Sequence, residues 1–182
     1  MRIVYEYSHL GGMEIMAVRY PVILQEIREI ISKVTPLNNK KSGEKTIKGD
    51  MLYDPKDLNS QFNTYFRNSG FKDIKEKYTV TIPGSDISIS GAYKQVNFLK
   101  EKVLVEVQFG NYAFLLYDMA KFQFFFNENK ADVGIEIVPC HGLHHQMSSG
   151  VSYGEQLNND IERLKKHFPA VSVAVLLIDT DE

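Results

Sequence analysis

From Lys102 onward the chain alternates apolar segments of two lengths, and this alternation limits the possible folds more than any other feature. "KVLVEVQF" (102–109), "DVGIEIVP" (132–139) and "VSVAVLLI" (171–178) have strand length and strand composition. Between the first two lies "YAFLLYDMAKFQFFFN" (112–127), too long for a strand and set off by a Gly-Asn break, which predicts a largely buried helix. Another helix is expected near Tyr153–His167. Upstream, "RIVYEY" opens as a strand, and Ile23, Ile27, Ile30, Ile31 and Val34 recur at helical spacing within 22–34. "TPLNNKKSGEK" (35–45) breaks that helix and reads as a basic loop. Asp54-Pro55 starts a further helix that runs to about Ser69-Gly70. Lys77–Ile82 and Asp86–Tyr93 read as strands preceding the one at 102–109. Meandering strands followed by alternating helices and strands predict an α/β fold, with a mixed central sheet flanked by helices on both faces. No repeat, low-complexity tract or linker interrupts the 182 residues, so a single domain over 1–182 is expected.

Composition narrows the class. A hydrophobic content of 43% and a charged content of 24% are those of a globular protein that buries a core. The N-terminus lacks the apolar stretch of a signal peptide, and no segment reaches membrane-span length, so no membrane partner is expected. The single cysteine, Cys140, excludes an internal disulfide and fits a reducing, cytoplasmic location. A net charge of −2 argues against a surface that coats polyanions wholesale, but leaves room for one basic cleft.

The chemistry centres on "VEVQ". Residues two apart on a strand share a face, so Glu106 and Gln108 stand together within an otherwise apolar segment. On a solvated edge strand this would be ordinary. Here the flanks are apolar and lead into an apolar helix, which predicts a central, covered strand. A buried carboxylate is costly unless it is paired or holds a cation. Glu and Gln oxygens, with the Val107 carbonyl between them, form a hard oxygen site suited to Mg²⁺. A third acidic ligand would complete a hydrolytic metal site, but the residue nine positions before Glu106 is an amide, Asn97 (106 − 97 = 9). Taken alone, Asn97 is a strand-end turn residue.

These segments carry a family resemblance. "VEVQFGNYAF" with "NF" nine residues upstream resembles the catalytic segment of the type II restriction endonucleases of the Bgl II and Bst YI family, and more nearly that of Bst YI. These are variants of the PD-(D/E)XK nuclease fold in which Gln replaces the usual Lys. "YSHLGG", "EKTIKGDMLYDPKDLN" (44–59), "DVGIEIVP" and "MSSGVSYGEQ" (147–156) resemble family segments in the same order. The resemblance implies a PD-(D/E)XK restriction-endonuclease-like core. It also implies catalytic roles for Asn97, Glu106 and Gln108, and Mg²⁺, with Mn²⁺ as substitute, held by Asn97, Glu106 and Val107. In the family the position of Asn97 holds an Asp that bridges metal and scissile phosphate. An Asn brings no negative charge, so cation binding should weaken. Three readings stay open: an inactivated variant, which is preferred, a natural protein that tolerates Asn, or one that binds without cutting. Asp86 as the missing acid would break the family spacing.

The same resemblance points to residues that touch double-stranded DNA. Asn111, in the turn after the metal strand, has the donor and acceptor pattern of an adenine edge, although a plain helix-capping turn fits too. Ser148, Ser149 and Tyr153 lie in a polar loop, where Ser152 and Glu155 also fit a capping box. Lys94 and Lys100 flank Asn97 and are expected at the scissile phosphate; Lys40, Lys41, Lys45 and Lys48 form a further basic stretch. In "CHGLHH" the pairs Cys140/His144 and His141/His145 have four-residue spacing, but Pro139 and Gly142 argue against a helix, and structural zinc is not expected. A homodimer matched to a palindromic site containing GATC is implied, with helices 22–34 and 112–127 as its expected contact surfaces. A DNA-binding protein of this fold that has lost cleavage is the alternative. A metal hydrolase unrelated to nucleic acid, or an interaction module, would leave the ordered segments unexplained.

Overall fold

The computed structural model describes residues 1–181, with the side chain of Thr46 set aside. A six-stranded mixed sheet runs through it in the order β1-β8-β7-β6-β5-β4. These strands are β1 (Arg2–His9), β4 (Lys72–Thr81), β5 (Ser88–Lys100), β6 (Val103–Val107), β7 (Val133–Pro139) and β8 (Ser172–Asp179). β6, β7 and β8 are parallel, and the remaining pairings are antiparallel. The helices are α1 (Gly12–Arg19), α2 (Pro21–Lys33), α3 (Pro55–Asn68), α4 (Tyr112–Asn127), α5 (His141–His144) and α6 (Gly154–Leu164). β2 (Asn38–Lys41) and β3 (Met51–Tyr53) form a separate two-stranded hairpin. Among the described residues no helix is long and apolar enough to cross a membrane.

The parallel strands read as continuous apolar runs because both of their faces are covered. Every residue of β6 and β7 is buried. α4 lies on one face: a Cβ on Gly134 of β7 would meet the Phe122 ring at 2.4 Å, so only glycine lets this helix approach so closely. α3 lies on the other, where Phe66 stacks on Phe98 with centroids 4.5 Å apart. Pro55 at the first turn and the Asp54 carboxylate, which accepts from the Lys56 amide at 3.2 Å, start α3 as the sequence predicts.

Several boundaries differ from expectation. The helix at 112–127 and the strand at 132–139 fall where predicted, give or take a residue. β4 begins five residues earlier than expected and β5 extends to Lys100, so Asn97 lies within a strand and not at its end. The supposed basic loop contains β2, whose Lys40 and Lys41 pair with Leu52 and Met51 of β3. α1 was not anticipated, and α5 forms despite Gly142 because the Cys140 sulfur caps it by accepting from the Leu143 amide.

Candidate active site

Three elements converge on Glu106. Its strand, β6, pairs in register with β7, so Glu106 stands beside Glu136 on the face covered by α4. On the other side, Phe98 pairs with Val105, and one step further Asn97 donates its backbone N–H to Glu106 Oε1 at 3.3 Å. From Val96 to Leu99 is three residues, yet they face only the two steps from Ile74 to Lys72 (99 − 96 = 3; 74 − 72 = 2). The extra residue is a β-bulge at Asn97-Phe98, which sends Phe98 into the α3 side of the core and leaves the Asn97 side chain exposed. Asn97, Phe98, Val107 and Gln108 line a cleft of about 330 Å³ together with Asn59, Phe62 and Asn63 of α3.

α4 supplies two charged residues that the sequence reading did not assign. Lys121 is largely buried; its Nζ donates to Glu106 Oε1 in a short contact and to Asp118 Oδ1 at 2.6 Å. The other Asp118 oxygen accepts from Gln108 Nε2 at 2.8 Å, and Gln108 Oε1 accepts from the Gly110 amide at 2.9 Å. Both ends of the Gln108 amide are therefore committed. Burial, reinforced by Asp118 and partly offset by Lys121, pushes the Glu106 carboxyl up to about 7. Glu136 is fully enclosed, and among the described residues neither of its oxygens has a hydrogen-bond partner. Burial first, then the negative charges of Asp118 and Glu106, raises its carboxyl well above the usual range. Burial alone would lower the Lys121 ammonium, but the two carboxylates outweigh it and hold the group charged. The signal for all three was present: Asp118, Lys121 and Glu136 are polar interruptions of apolar runs, as Glu106 is.

The predicted DNA-contacting residues fall into two groups. Asn111 caps α4, its side chain accepting from the Ala113 amide at 2.9 Å, and it remains exposed. The loop at 148–153 sits against this turn, because Ser152 donates both its backbone N–H and its Oγ–H to the Gly110 carbonyl. The expected capping box is absent: Tyr153 is the N-cap of α6, and Glu155 instead accepts from the His141 amide. Ser148 Oγ accepts from Lys40 Nζ at 3.0 Å, and the Ser149 amide donates to Glu44 at 3.1 Å. Tyr153 packs edge-on against His141. Asn111, Ser148, Ser149 and Tyr153 thus form one continuous surface with the end of β6, joined by the β2 hairpin.

Lys100 does not join them. Its Nζ is held by both Glu26 oxygens, at 2.8 and 2.6 Å, and by the Ser69 carbonyl, so it ties β5 to α2 and α3. Lys94 donates to the Tyr117 hydroxyl at 3.0 Å and lies on the α4 side, because the bulge reverses which face each residue of β5 presents. Cys140 Sγ is engaged by the Leu143 amide at 3.5 Å. The Nε2 atoms of His141 and His145 are 3.1 Å apart. Among the described residues no three His, Cys, Asp or Glu are arranged to hold a metal ion.

This sheet, its flanking helices and the cleft at the end of β6 define a restriction-endonuclease fold. The structure superposes on that of "restriction endonuclease BGLII complexed with DNA 16-mer" with a TM-score of 0.74 and 25% identity, covering 100% of this chain and 79% of that one. Free BglII matches with a TM-score of 0.69 and 25% identity, covering 100% of this chain and 82% of that one. Residues 4–178 match the family described as restriction endonuclease BglII/BglIII, and the chain belongs to that family. A curated relative, "Type II restriction enzyme BglII" of Bacillus subtilis, is 27% identical over 154 residues. That match takes in 81% of this chain and only 64% of the relative's length.

Proposed function

We propose that the chain is a type II restriction endonuclease that hydrolyses phosphodiester bonds within a palindromic duplex site, with Mg²⁺, or Mn²⁺ in its place, as cofactor. The observation that carries this reading is the placement of Glu106, Gln108 and Asn97 at the end of one strand pair. They stand beside a polar cleft and continue into the surface of Asn111, Ser148, Ser149 and Tyr153. Family membership and the DNA-bound state of a solved relative support DNA as the partner.

The donor set fits a hard divalent cation in kind, since Glu106, the Val107 carbonyl and the Asn97 side chain are all oxygen donors. It fits less well in charge, because Glu106 is the single carboxylate among the three and already shares an oxygen with Lys121. The bound cation would polarise the phosphate and favour an ionised attacking water. Gln108, fixed by Asp118 and Gly110, would orient that water. Water attacks phosphorus in line and the bond to the 3′ oxygen breaks, leaving a 5′-phosphate and a 3′-hydroxyl. Asn111 would read a base edge, and the serine loop would contact a base or phosphate. We further propose a homodimer and a site containing GATC, because a two-fold protein matches a palindrome.

The missing charge at Asn97 favours a second reading, in which the chain binds the same site and cuts it poorly or not at all. Incubation with mixed-sequence DNA and Mg²⁺ or Mn²⁺ tests both. Discrete fragments support the endonuclease, and site-selective, salt-sensitive binding without fragments supports the binding protein. Absence of both, in the unaltered chain and in Asn97→Asp, overturns the two together.

A further inference from the structure

The buried pair Asp118 and Lys121 lies three residues apart on α4 and touches Glu106 of β6 and Gln108 just beyond its end. Lys121 Nζ and the Asn97 backbone N–H occupy one oxygen of Glu106, Oε1. The other oxygen, Oε2, accepts no hydrogen bond from the described residues. Asp118 uses one oxygen for Lys121 and the other for Gln108 Nε2. A single chain of contacts therefore runs from Glu106 through Lys121 and Asp118 to Gln108, and ends on the Gly110 amide. All of it lies on the α4 side of the sheet, where the side chains of Asp118 and Lys121 are 2% and 12% exposed.

Such a pair is not explained by stability alone. A buried ion pair often contributes no more than apolar residues of similar volume would, because desolvation offsets the attraction. Its geometry is more informative. It anchors Oε1 internally, leaves Oε2 as the oxygen free for a cation, and fixes which end of the Gln108 amide faces α4.

We propose that Asp118 and Lys121 are positioning residues: they set the Glu106 carboxylate and the Gln108 amide in the geometry that binds a divalent cation. This rests on the endonuclease reading above. Without the ammonium, the Asp118 and Glu106 carboxylates repel each other, Asp118 turns away, and the Gln108 amide loses its anchor. Loss of a partner that orients a metal ligand typically lowers metal affinity by about 10-fold to 100-fold. Simple competition between Lys121 and the cation would give the opposite sign, since removing a positive charge beside a cation site strengthens binding.

Mn²⁺ titration followed by electron paramagnetic resonance, on the unaltered chain and on Asn97→Asp, separates these outcomes. Lys121→Met is expected to weaken Mn²⁺ binding about 10-fold or more, with Lys121→Arg recovering most of it. Metal-free DNA affinity, measured in a chelator, should stay within a factor of about 2, which a general loss of structure would not allow. Asp118→Asn, nearly isosteric, should show the same loss and carries the test if Lys121→Met fails to fold. Mn²⁺ binding as tight as, or tighter than, that of the parent in these variants overturns the positioning role while leaving the endonuclease reading intact. If neither parent binds Mn²⁺, the endonuclease reading itself fails and the positioning role falls with it.

Discussion

Glu106 and Glu136 stand side by side in register on adjacent parallel strands, both buried, with Lys121 as the cation between helix and sheet. Both carboxyls are raised, Glu106 from 4.5 to about 7 and Glu136 well above the usual range, burial being the largest cause in each case. A raised carboxyl binds its proton more tightly in the folded than in the unfolded chain. Its stabilising contribution is therefore complete below the unfolded value of 4.5 and is lost as pH rises through about 7. In a chelator, the urea midpoint should fall as pH climbs from about 5 to 8. A midpoint that stays level over that window would show that neither carboxyl is raised in the folded chain.

Glu136 is fully buried and finds no hydrogen-bond partner among the described residues, so its side chain costs stability where it stands. Replacing an unpartnered buried polar group by an apolar one of similar size removes that penalty, roughly 1–3 kcal/mol. Glu136→Leu should raise the thermal midpoint at pH 8 and make stability less sensitive to pH. If Glu136→Leu lowers the midpoint, the carboxyl has a partner after all and belongs to the functional network.

These two glutamates also mark how far the sequence was legible. Glu106 and Gln108 stood out as polar interruptions of an apolar strand, and that pattern reflects the strand's coverage on both faces. Asp118, Lys121 and Glu136 interrupt apolar runs in the same way, yet nothing along the chain says that the helix at 112–127 folds over the strand at 132–139. The meeting of the two depends on Gly134, which is informative once Phe122 is known to press on it. Lys100 shows the converse: a basic residue close to Asn97 in sequence looks available for phosphate, but the bulge and Glu26 turn it to another task. α1 was missed because Gly11-Gly12 reads as a turn, whereas Gly12 is needed for contact with the backbone at Val173. The hairpin strands β2 and β3 are short and largely polar, and the Tyr53 amide bonds to the Gln146 carbonyl at 3.0 Å, a partner remote in sequence.

Gly134 gives a direct test of that packing. A Cβ there would lie 2.4 Å from a carbon of the buried Phe122 ring, far inside van der Waals contact. Overpacking of this kind costs about 1–3 kcal/mol. Gly134→Ala should lower the urea midpoint accordingly, and adding Phe122→Leu should recover part of the loss. Purely additive losses in the double variant would mean that the ring is not what the new methyl meets.

The basic residues should separate by their partners. Lys100 is engaged with Glu26 and Ser69, so Lys100→Met should lower stability and leave the salt dependence of DNA binding unchanged. Lys40 is partly exposed on the β2 hairpin and contacts Ser148 in the candidate DNA surface. Lys40→Met should weaken DNA binding and reduce the slope of log affinity against log salt by about 1, the effect of one lost phosphate contact. Slopes unchanged from the parent in both variants would place neither lysine on the backbone, and a reduced slope for Lys100→Met would show that its ion pair opens on binding.

Asn97 is the position where a single atom exchange should matter most. Its backbone N–H already approaches Glu106 within 3.3 Å, and its exposed side chain lines the cleft beside Gln108. Asn97→Asp would put a second carboxylate into a donor set that has only one, bringing a negative charge next to the cation. The added charge should tighten Mn²⁺ binding by about 10-fold, on the order of 1.4 kcal/mol, and raise the single-turnover cleavage rate on a long mixed-sequence duplex at saturating protein. Metal-free DNA affinity should change little or fall slightly, because the new carboxylate faces the phosphate without its cation. Tighter Mn²⁺ binding with no cleavage at any metal concentration would leave a site that holds metal and DNA but does not hydrolyse, and would favour the binding-protein reading. Unchanged Mn²⁺ affinity would show that the side chain at 97 does not reach the cation, and would remove it from the catalytic set.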